Sequence, residues 1–491
     1  PYGWGYNTSR FIPKNFGKID SKNVKKLKLK WAFGFPYSQR ARSQPLFAMG
    51  SIFVGSQSGD IYALDVETGC VKWNFSASAE VRTGIIMDEW KNGTKPKKRP
   101  YIYFGDILAN EYALDAQTGE LIWKIKTDDH PNATRTATSA KFEDILFVPV
   151  SGLEVIPAFN NDYECCTFRG GLLAVEADTG EILWKKYSIP VPAKYSGTTS
   201  VGTRMFGPSG APIWTSPNVD KKRRYIYIGT GENYSTPADD SSDAIIAYNI
   251  DTGEEVWRRQ TLAGDAWNLA CMGKGLPNCP EENGPDMDYS ASSILIDLGD
   301  RDILVAGQKS GSVYGINPDN GEIIWSKVVS GGGTQGGIHF GMASEGDVLY
   351  VPLNDMKDTL DGKVWLNRKP GMHSLDTETG NILWSKITDT ECKEIDINCD
   401  PGISAAVTAI PGAVIAGHLD GMIRVYDKDN GDILWSFNSL GDYESISGTP
   451  ASGGSFSGSG PSIRNGYMAI NSGYGIYNHM PGNALLLFTI D

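Results

Sequence analysis

Seven segments of the chain share one pattern of hydrophobic and polar positions. In each, an apolar stretch ends at an acidic residue or Asn, a Gly follows four positions later, and a second apolar stretch ends in Trp. The pattern predicts two short strands joined by a tight turn. The copies are YALDVETGCVKW (62–73), YALDAQTGELIW (112–123), LAVEADTGEILW (173–184), IAYNIDTGEEVW (246–257), YGINPDNGEIIW (314–325), HSLDTETGNILW (373–384) and RVYDKDNGDILW (424–435).

The turn and the terminal Trp explain why the copies must pack on one another. Gly accepts a positive φ, and the acidic, Asn and Thr side chains satisfy amide groups of the turn. The flat face of the Trp needs a partner surface that a single hairpin cannot provide. Because successive Trp residues lie 50 to 73 residues apart, each copy has room for a four-stranded sheet. Radial packing of such sheets predicts an all-β fold, a β-propeller.

The two ends of the chain predict the number of blades. KLKLKWAF (26–33) is similar to the Trp half of a copy, and NALLLFTID (483–491) is similar to the first half. We therefore expect a single eight-bladed domain over residues 1–491. Its last blade would contain strands from both chain ends, which removes an exposed sheet edge. Seven blades are the alternative.

Charge and hydropathy argue against two classes of partner. The formal net charge of −13 argues against a nucleic-acid partner. No apolar run reaches the length of about 18 residues that a membrane-spanning helix requires. We expect neither nucleic-acid binding nor a membrane span.

Six of the seven cysteines form local pairs, at separations of one, eight and seven residues. The lack of two C-x-x-C units and of suitably spaced His argues against structural zinc. Local disulfides fit better and predict an oxidising compartment, the periplasm or the cell exterior. The seventh cysteine, Cys70, is then expected to be a small buried residue. The pairs are Cys165 with Cys166, Cys271 with Cys279, and Cys392 with Cys399.

The phrase D-x-x-T-G-x-x-x-W resembles the tryptophan-docking repeat of dehydrogenases that use pyrroloquinoline quinone (PQQ). The resemblance covers nearly the whole chain and is strongest to polyvinyl-alcohol dehydrogenases and related quinoproteins. It implies an eight-bladed propeller that binds PQQ and calcium, or another hard cation such as a lanthanide. The supporting segments are LKLKWAFGFP (27–36), GSQSGDIYALD (55–65), CCTFRG (165–170), FGPSGAPIW (206–214), GDAWNLAC (264–271), AGQKSG (306–311) and NSGYGIYNHMPGN (471–483).

The resemblance implies a set of cation ligands. Glu154, in VPVSGLE, corresponds to a glutamate that binds calcium in the family. In GTGENYS, an ungapped count from Trp214 places Glu232 in the position of a second ligand, whereas Asn233 keeps the chemical type of the family's Asn. Either side chain can supply an oxygen ligand. Asn268, in GDAWNLA, stands where alcohol dehydrogenases have an Asp that contacts the metal.

The resemblance also implies PQQ contacts. Trp214, in GAPIWTSP, corresponds to the Trp that lies flat under the quinone. Arg82 and Arg169 are expected to bind PQQ carboxylates, because a guanidinium can contact both oxygens of such a group. Thr136 and Asn354 correspond to further contacts.

A disulfide between adjacent cysteines covers the quinone face opposite the Trp in alcohol dehydrogenases of this family. In methanol dehydrogenase that pair lies earlier in the chain, near the position of Arg82 here. We expect Cys165–Cys166 to be a strained disulfide that covers the ring from a different loop. A purely structural ring is the alternative.

The catalytic base is the position that departs from the family. The neutral amide of Asn268 can bind a cation but cannot accept a proton as a general base. Asp265 is the nearest carboxylate in sequence and is our candidate, with His339, a glutamate ligand or water as alternatives. Lys309, in AGQKSG, corresponds to a basic residue at the quinone oxygens, where it would stabilise charge on the reduced ring.

Two functions remain open from the sequence. The first is a PQQ- and metal-dependent dehydrogenase of small or polymeric alcohols, with secondary alcohols or polyols implied by the resemblance. Because haem attachment requires C-x-x-C-H, which the sequence lacks, an external acceptor such as a c-type cytochrome is implied. The second is a cofactor-free propeller that acts as a binding or assembly scaffold, since non-enzymatic propellers that assemble outer-membrane proteins use a similar repeat.

Overall fold

The computed structural model describes residues 3–90, 99–272, 275–356, 367–388 and 399–491. Eight antiparallel sheets make up the fold, each with four strands, and one of them has a short fifth strand, Ala133–Thr134. This arrangement confirms the predicted eight-bladed β-propeller.

The blades are numbered along the chain, and their strands are given from the central channel outward. Blade 1 contains Leu46–Ala48, Ser51–Gly55, Asp60–Asp65 and Val71–Ser76, and blade 2 contains Ile86–Met87, Tyr101–Gly105, Asn110–Asp115 and Leu121–Lys126. Blade 3 contains Ala140–Phe142, Ile145–Gly152, Gly171–Glu176 and Ile182–Tyr187, and blade 4 contains Asn218–Asp220, Tyr225–Gly229, Ala244–Asn249 and Glu255–Gln260. Blade 5 contains Ile294–Asp297, Asp302–Gly307, Ser312–Ile316 and Ile323–Val328, and blade 6 contains Ala343–Glu345, Val348–Leu353, Gly371–Asp376 and Ile382–Ile387. Blade 7 contains Thr408–Ile410, Ala413–Gly417, Met422–Asp427 and Ile433–Asn438, and blade 8 contains Ser462–Arg464, Tyr467–Ser472, Ala484–Thr489 and Lys28–Gly34.

Blade 8 is built from both ends of the chain. The strand Lys28–Gly34 pairs antiparallel with Ala484–Thr489, and Trp31 lies opposite Leu487. The predicted closure by the two chain ends is therefore confirmed.

Seven tryptophans link neighbouring blades. In each case the indole Nε1 donates to a backbone carbonyl of the next blade, at 2.8–3.2 Å. The turn Gly of that next blade lies against the indole, since a Cβ on Gly119 would come within 2.6 Å of Trp73. Because Gly119 also has a φ of +75°, the turn requires Gly both for its backbone and for the docked ring. The tryptophans are Trp31, Trp73, Trp123, Trp184, Trp257, Trp325 and Trp384.

The remaining elements are short. Three two-stranded ribbons lie outside the blades: Lys194–Thr198 with Arg204–Gly207, Ser209–Gly210 with Asn233–Ser235, and Gly441–Tyr443 with Ala451–Gly453. One α-helix, Lys14–Gly17, and the 3₁₀ helices Val24–Lys26, Pro157–Phe159 and Leu269–Met272 complete the described elements. Among the described residues, no helix has the length and apolar character that a membrane crossing requires.

The described cysteines follow the predicted pairing with one correction. Disulfides join Cys165 to Cys166 and Cys271 to Cys279. Cys399 is also disulfide-bonded, whereas Cys392 lies outside the described residues. The prediction of a buried Cys70 is wrong, because this free cysteine is exposed. It directly follows the turn Gly69 at the start of an outermost strand, which places it at the surface.

Candidate functional site

One position recurs in every blade, and six of its eight residues line a common cavity. It lies four residues before the innermost strand, so that Arg82 precedes Ile86 and Trp214 precedes Asn218 by the same count. The eight residues at this position, in blade order, are Arg42, Arg82, Thr136, Trp214, Ser290, His339, Ser404 and Gly458. Three of the predicted cofactor contacts, Arg82, Thr136 and Trp214, are therefore equivalent residues of consecutive blades.

These three residues line one cavity together with Arg42, Trp4 and Phe340. The hydroxyl of Thr136 is buried and has no hydrogen-bond partner. Among the described residues no hydrogen bond engages the guanidinium of Arg82, and burial followed by repulsion from Arg42 lowers its pKa to about 10. The cavity thus presents a cation and a hydroxyl that the surrounding protein does not satisfy.

The second arginine of the cavity is held in place by a carboxylate. Arg42 Nη2 lies 2.6 Å from Glu80 Oε1, and Arg40 binds the other oxygen of Glu80. Burial opposes ionisation of Glu80, but the two guanidinium groups outweigh it and lower the pKa of this carboxyl to about 2. Arg42 and Arg82 make this side of the cavity positive.

Three carboxylates lie close together near Trp214, one of the residues that line the cavity. One oxygen each of Glu232, Asp286 and Asp288 lies within 4.8 Å of the others, and all three side chains are buried. We call these three residues the acidic cluster. Burial, followed by the charges of Asp288 and Asp286, raises the pKa of Glu232 well above its usual value. Burial also raises the pKa of Asp286.

Lys309 connects the acidic cluster to Trp214. Its Nζ lies 2.9 Å from Asp286 Oδ1 and 2.7 Å from Asp288 Oδ2. The same Nζ is 5.4 Å from the centroid of the Trp214 ring, within the range of a cation–π contact. Burial opposes the charge on Lys309, but the carboxylates outweigh it and raise its pKa. Although burial raises the pKa of Asp288, Lys309 and the hydrogen bonds from Glu232 lower it overall.

Two more buried carboxylates lie behind the cluster. Asp265 accepts the backbone N–H groups of Asp286 at 3.0 Å and of Met287 at 2.8 Å, so it fixes the segment that carries the cluster. Asp243 accepts a bond from Gln308 through Oδ1, but its Oδ2 is buried without a partner. Burial, followed by the charges of neighbouring carboxylates, raises the pKa of Asp243. The region holds five buried carboxylates, and Lys309 forms ion pairs with two of them, Asp286 and Asp288.

The predicted ligand Glu154 lies apart from the acidic cluster. Its carboxylate accepts the backbone N–H groups of Thr167 and Phe168, at 2.9 and 2.7 Å, and the hydroxyl of Tyr163 at 2.9 Å. Thr167 directly follows the Cys165–Cys166 disulfide, so Glu154 holds the loop that carries it. We call Glu154, the disulfide and its loop the disulfide shell.

Asn268 belongs to the disulfide shell as well. Its Nδ2 donates to the carbonyls of Tyr234 and Asn278 and lies 4.0 Å from the Sγ of Cys165, while its Oδ1 accepts the N–H of Ala270. Both ends of this amide therefore have protein partners. The disulfide is buried in an apolar cluster that includes Phe168 and Tyr234.

Three other predicted residues have different surroundings. The side chain of Asn233 is bonded to Asp239 and to the carbonyl of Ser209, away from the acidic cluster. Arg169 points to the outer strand of blade 3, where it stacks on Tyr187 with a centroid distance of 3.9 Å. Asn354 is buried with its Oδ1 unpartnered.

The imidazole of His339 lies near both the cavity and Asn354. Its ring is 6.1 Å from that of Trp214, and its Nδ1 is 3.4 Å from Asn354 Nδ2 and 3.1 Å from Ser404 Oγ. Burial, followed by the charge of Lys309, lowers the pKa of His339 to about 3, so the ring is neutral at neutral pH.

Sequence reasoning missed Asp286 and Asp288. They stand in NGPDMDYS, where two Asp residues at alternate positions follow Gly-Pro in a long loop. Closely spaced carboxylates in an irregular segment are a pattern of hard-cation sites, which could have identified them. Arg42 was also missed, although it occupies the same position of its blade as Arg82.

The arrangement suits a flat anion bound together with a cation. The acidic cluster offers oxygen ligands to a hard cation, which would offset the excess of buried negative charge. Trp214 offers a plane for an aromatic ring, and Arg42 and Arg82 can bind its carboxylates. The unpartnered Thr136 and Asn354 oxygens supply further polar contacts.

Comparisons with known proteins identify the family of the chain. The model of the PQQ family, described as the β-propeller domain of glucose, ethanol and alcohol dehydrogenases, matches residues 1–272. Residues 310–455 match a second model, described as outer membrane protein assembly factor BamB.

Two curated relatives and one solved structure extend the likeness. A polyvinylalcohol dehydrogenase of Pseudomonas sp. is 37% identical over 505 residues, which cover 100% of this chain and 76% of that protein. A polyvinylalcohol dehydrogenase of Sphingopyxis sp. (strain 113P3) is 35% identical over 489 residues, with coverage of 96% and 74%. A europium-containing methanol dehydrogenase has a TM-score of 0.69 at 17% identity, with coverage of 100% and 98%, which shows a shared fold.

Proposed function

The chain belongs to the PQQ dehydrogenase family, and from that premise we propose that it oxidises alcohols with PQQ and a hard cation. The observation that carries the proposal is the buried acidic cluster, which Lys309 joins to the ring of Trp214. A cation would replace the protons that the crowded carboxylates otherwise need, and an anion would provide the partner that Arg82 lacks among the described residues.

We propose that the acidic cluster holds the cation and that the cavity holds the quinone. PQQ and its cation supply, when bound, a two-electron oxidant for an alcohol carbon. Glu232, Asp286 and Asp288 would bind the cation, which could be calcium or a lanthanide. Trp214 would stack on the quinone, and Arg42 and Arg82 would bind its carboxylates. The roles expected for Glu154, Asn233, Asn268 and Arg169 remain predictions, as does that of the disulfide as a cover.

We assign the proton-accepting role to Asp286. Burial raises the pKa of this carboxyl, which increases its affinity for a proton. Lys309 bridges Asp286 and Asp288, so it can hold both carboxylates in place while a proton moves. Asp265, the base expected from the sequence, accepts two backbone amides, and we therefore propose that it positions Asp286.

We further propose a secondary or polymeric alcohol as substrate, because two relatives are named polyvinylalcohol dehydrogenases. The electrons would leave to an acceptor such as a c-type cytochrome. The Cys165–Cys166 and Cys271–Cys279 disulfides favour the periplasm or the cell exterior.

Reconstitution tests the proposal. The purified protein is incubated with PQQ and Ca²⁺, or with PQQ and Eu³⁺, and freed of excess quinone. We expect retained quinone absorbance and reduction of an artificial electron acceptor by 2-propanol, 2,4-pentanediol or polyvinyl alcohol. Failure to retain PQQ with either cation would contradict the proposal.

A cofactor-free scaffold is the second candidate. The match of residues 310–455 to the BamB model favours it. The acidic cluster lies outside that segment, and a scaffold has no need for three buried carboxylates in contact. Retention of PQQ by the natural protein, and its loss in an Asp288→Asn variant, would exclude the scaffold.

A further inference from the structure

We propose that residues 3–12 close the central channel beneath the quinone cavity and that Trp4 is a positioning residue for the bound ring. We call residues 3–12 the floor segment. The role of Trp4 rests on the proposed function, whereas the closure of the channel can be measured without quinone.

The floor segment is hydrogen-bonded to four consecutive blades on one side of the channel. The carbonyl of Thr8 accepts the N–H of Leu295 in blade 5 and the side-chain amide of Asn218 in blade 4, both at 3.1 Å. The carbonyl of Ser9 accepts the N–H of Ser344 in blade 6 at 2.9 Å. Ile12 donates its N–H to the carbonyl of Ala409 in blade 7 at 2.9 Å. On the other side of the channel, Arg10 Nη1 and Nη2 donate to Gln44 Oε1 at 3.5 and 3.4 Å. Gln44 precedes the innermost strand of blade 1, which stands opposite blade 5 in a ring of eight, so the floor segment spans the channel.

A buried arginine anchors the floor segment. Arg10 is 2% exposed, and its guanidinium donates to the carbonyl of Val407 at 2.8 Å and to that of Trp4 at 2.9 Å. It lies over the Trp4 ring at 5.3 Å from the centroid. Among the described residues no ion pair involves Arg10, and burial lowers its pKa to about 9. A positive charge beneath the cavity favours an anionic ligand above it.

Trp4 separates two spaces within the channel. On one side it lines the cavity with Arg82, Thr136 and Trp214. On the other side it lines a cleft of about 720 Å³, together with Tyr6. Its Nε1 donates to the carbonyl of Phe340 at 2.8 Å, which fixes the orientation of the indole.

The partition has a physical consequence for the cavity. Without the indole, the cleft on the far side would connect with the space around Trp214 and bring water to it. Water at that point would weaken the charge contacts of the acidic cluster and of the arginines, because it screens them. A bound ring would also lose the surface that keeps it at the level of Trp214.

The test compares Trp4→Ala with Trp4→Phe and with Tyr6→Ala as a matched control. Tyr6 belongs to the same segment and stacks on Phe16 at 4.2 Å, but it lines the cleft and not the cavity. Hydrogen exchange of peptides covering 134–139 and 212–217 is followed in protein free of metal and quinone. The dissociation rate of PQQ is then measured in loaded protein, and melting temperatures report general destabilisation.

For Trp4→Ala we expect about tenfold faster exchange in both peptides and about tenfold faster loss of PQQ. Trp4→Phe should have exchange rates and a PQQ dissociation rate close to those of the natural protein. Tyr6→Ala should have the same rates as the natural protein even if its melting temperature falls. Equal effects of Tyr6→Ala and Trp4→Ala, or unchanged exchange in Trp4→Ala, would overturn the proposal. If the natural protein retains no PQQ, the proposed function fails, while the exchange contrast still decides whether the floor segment closes the channel.

Discussion

Glu154 and Glu232 are both buried glutamates that the family resemblance suggests as metal ligands, but their surroundings differ. In the disulfide shell, Glu154 accepts two backbone N–H groups and a tyrosine hydroxyl. In the acidic cluster, Glu232 faces Asp286 and Asp288, and its pKa is raised by burial and by their charge. A carboxylate satisfied by amides stabilises a loop, whereas carboxylates that crowd together need a cation or protons. Burial and sequence position do not distinguish the two cases, but hydrogen-bond partners do.

The largest effect that would separate the two regions is expected at Asp288. Asp288→Asn keeps the shape of the side chain but removes a charge from the cluster and from Lys309. We expect alcohol oxidation in the presence of added PQQ and cation to fall by about 10²–10⁴-fold, because the cluster loses a charged cation ligand and the partner of Lys309. Steady-state kinetics measure it, with Asp240→Asn, an exposed carboxylate, as the control.

Glu154→Gln tests the other region. Thr167 and Phe168 donate to Oε2 of Glu154, whereas Tyr163 donates to Oε1. The amide can keep an oxygen for the two N–H groups but places an NH₂ group against Tyr163 and removes the charge, so we expect a loss of about 1–3 kcal/mol in the free energy of unfolding. Denaturant unfolding measures it, while kcat of the folded fraction should change less than about threefold. A large fall in kcat with unchanged stability would instead establish Glu154 as the ligand that the resemblance implies.

The pH dependence of metal binding sharpens the comparison. A carboxyl with a raised folded-state pKa stabilises the fold at low pH, and that contribution is lost as pH rises through the raised pKa. Glu232 and Asp286 behave in this way without metal. Since a cation displaces their protons, the increase in melting temperature caused by Ca²⁺ should grow from pH 5 to pH 8. In Asp286→Asn, the increase in melting temperature caused by Ca²⁺ should depend less on pH. An increase that does not change with pH in the natural protein would contradict the prediction.

The smallest effect is expected from two neighbouring threonines. The Thr136 hydroxyl has no partner, whereas that of Thr138 accepts the N–H of Gly84 at 2.7 Å. Thr136→Val should leave the stability of quinone-free protein unchanged or raise it by up to about 1 kcal/mol, while Thr138→Val should lower it by about 1–2 kcal/mol. Thermal unfolding measures both. If Thr136→Val does not weaken PQQ binding, then Thr136 is not a cofactor contact.

The family resemblance identified Arg82, Thr136 and Trp214, which the structure places at one position ahead of their innermost strands and in one cavity. Sequence analysis missed Asp286 and Asp288 because they lie in a long loop that has no equivalent in the other copies of the repeat. Glu154 and Asn268 were matched to ligands by position, but that match could not reveal that backbone amides and carbonyls occupy their side chains.

The sequence by itself determined the eight blades, because the turn, its Gly and the docked Trp act over a few residues and recur along the chain. It also determined the closure of blade 8, since each chain end carries one half of the repeat. The tertiary structure decided which charges meet. Glu232, Asp288 and Lys309 lie far apart in sequence, and they come together because Asp265 fixes the loop between them. That meeting depends on long-range packing and hydrogen bonding, which no local pattern encodes.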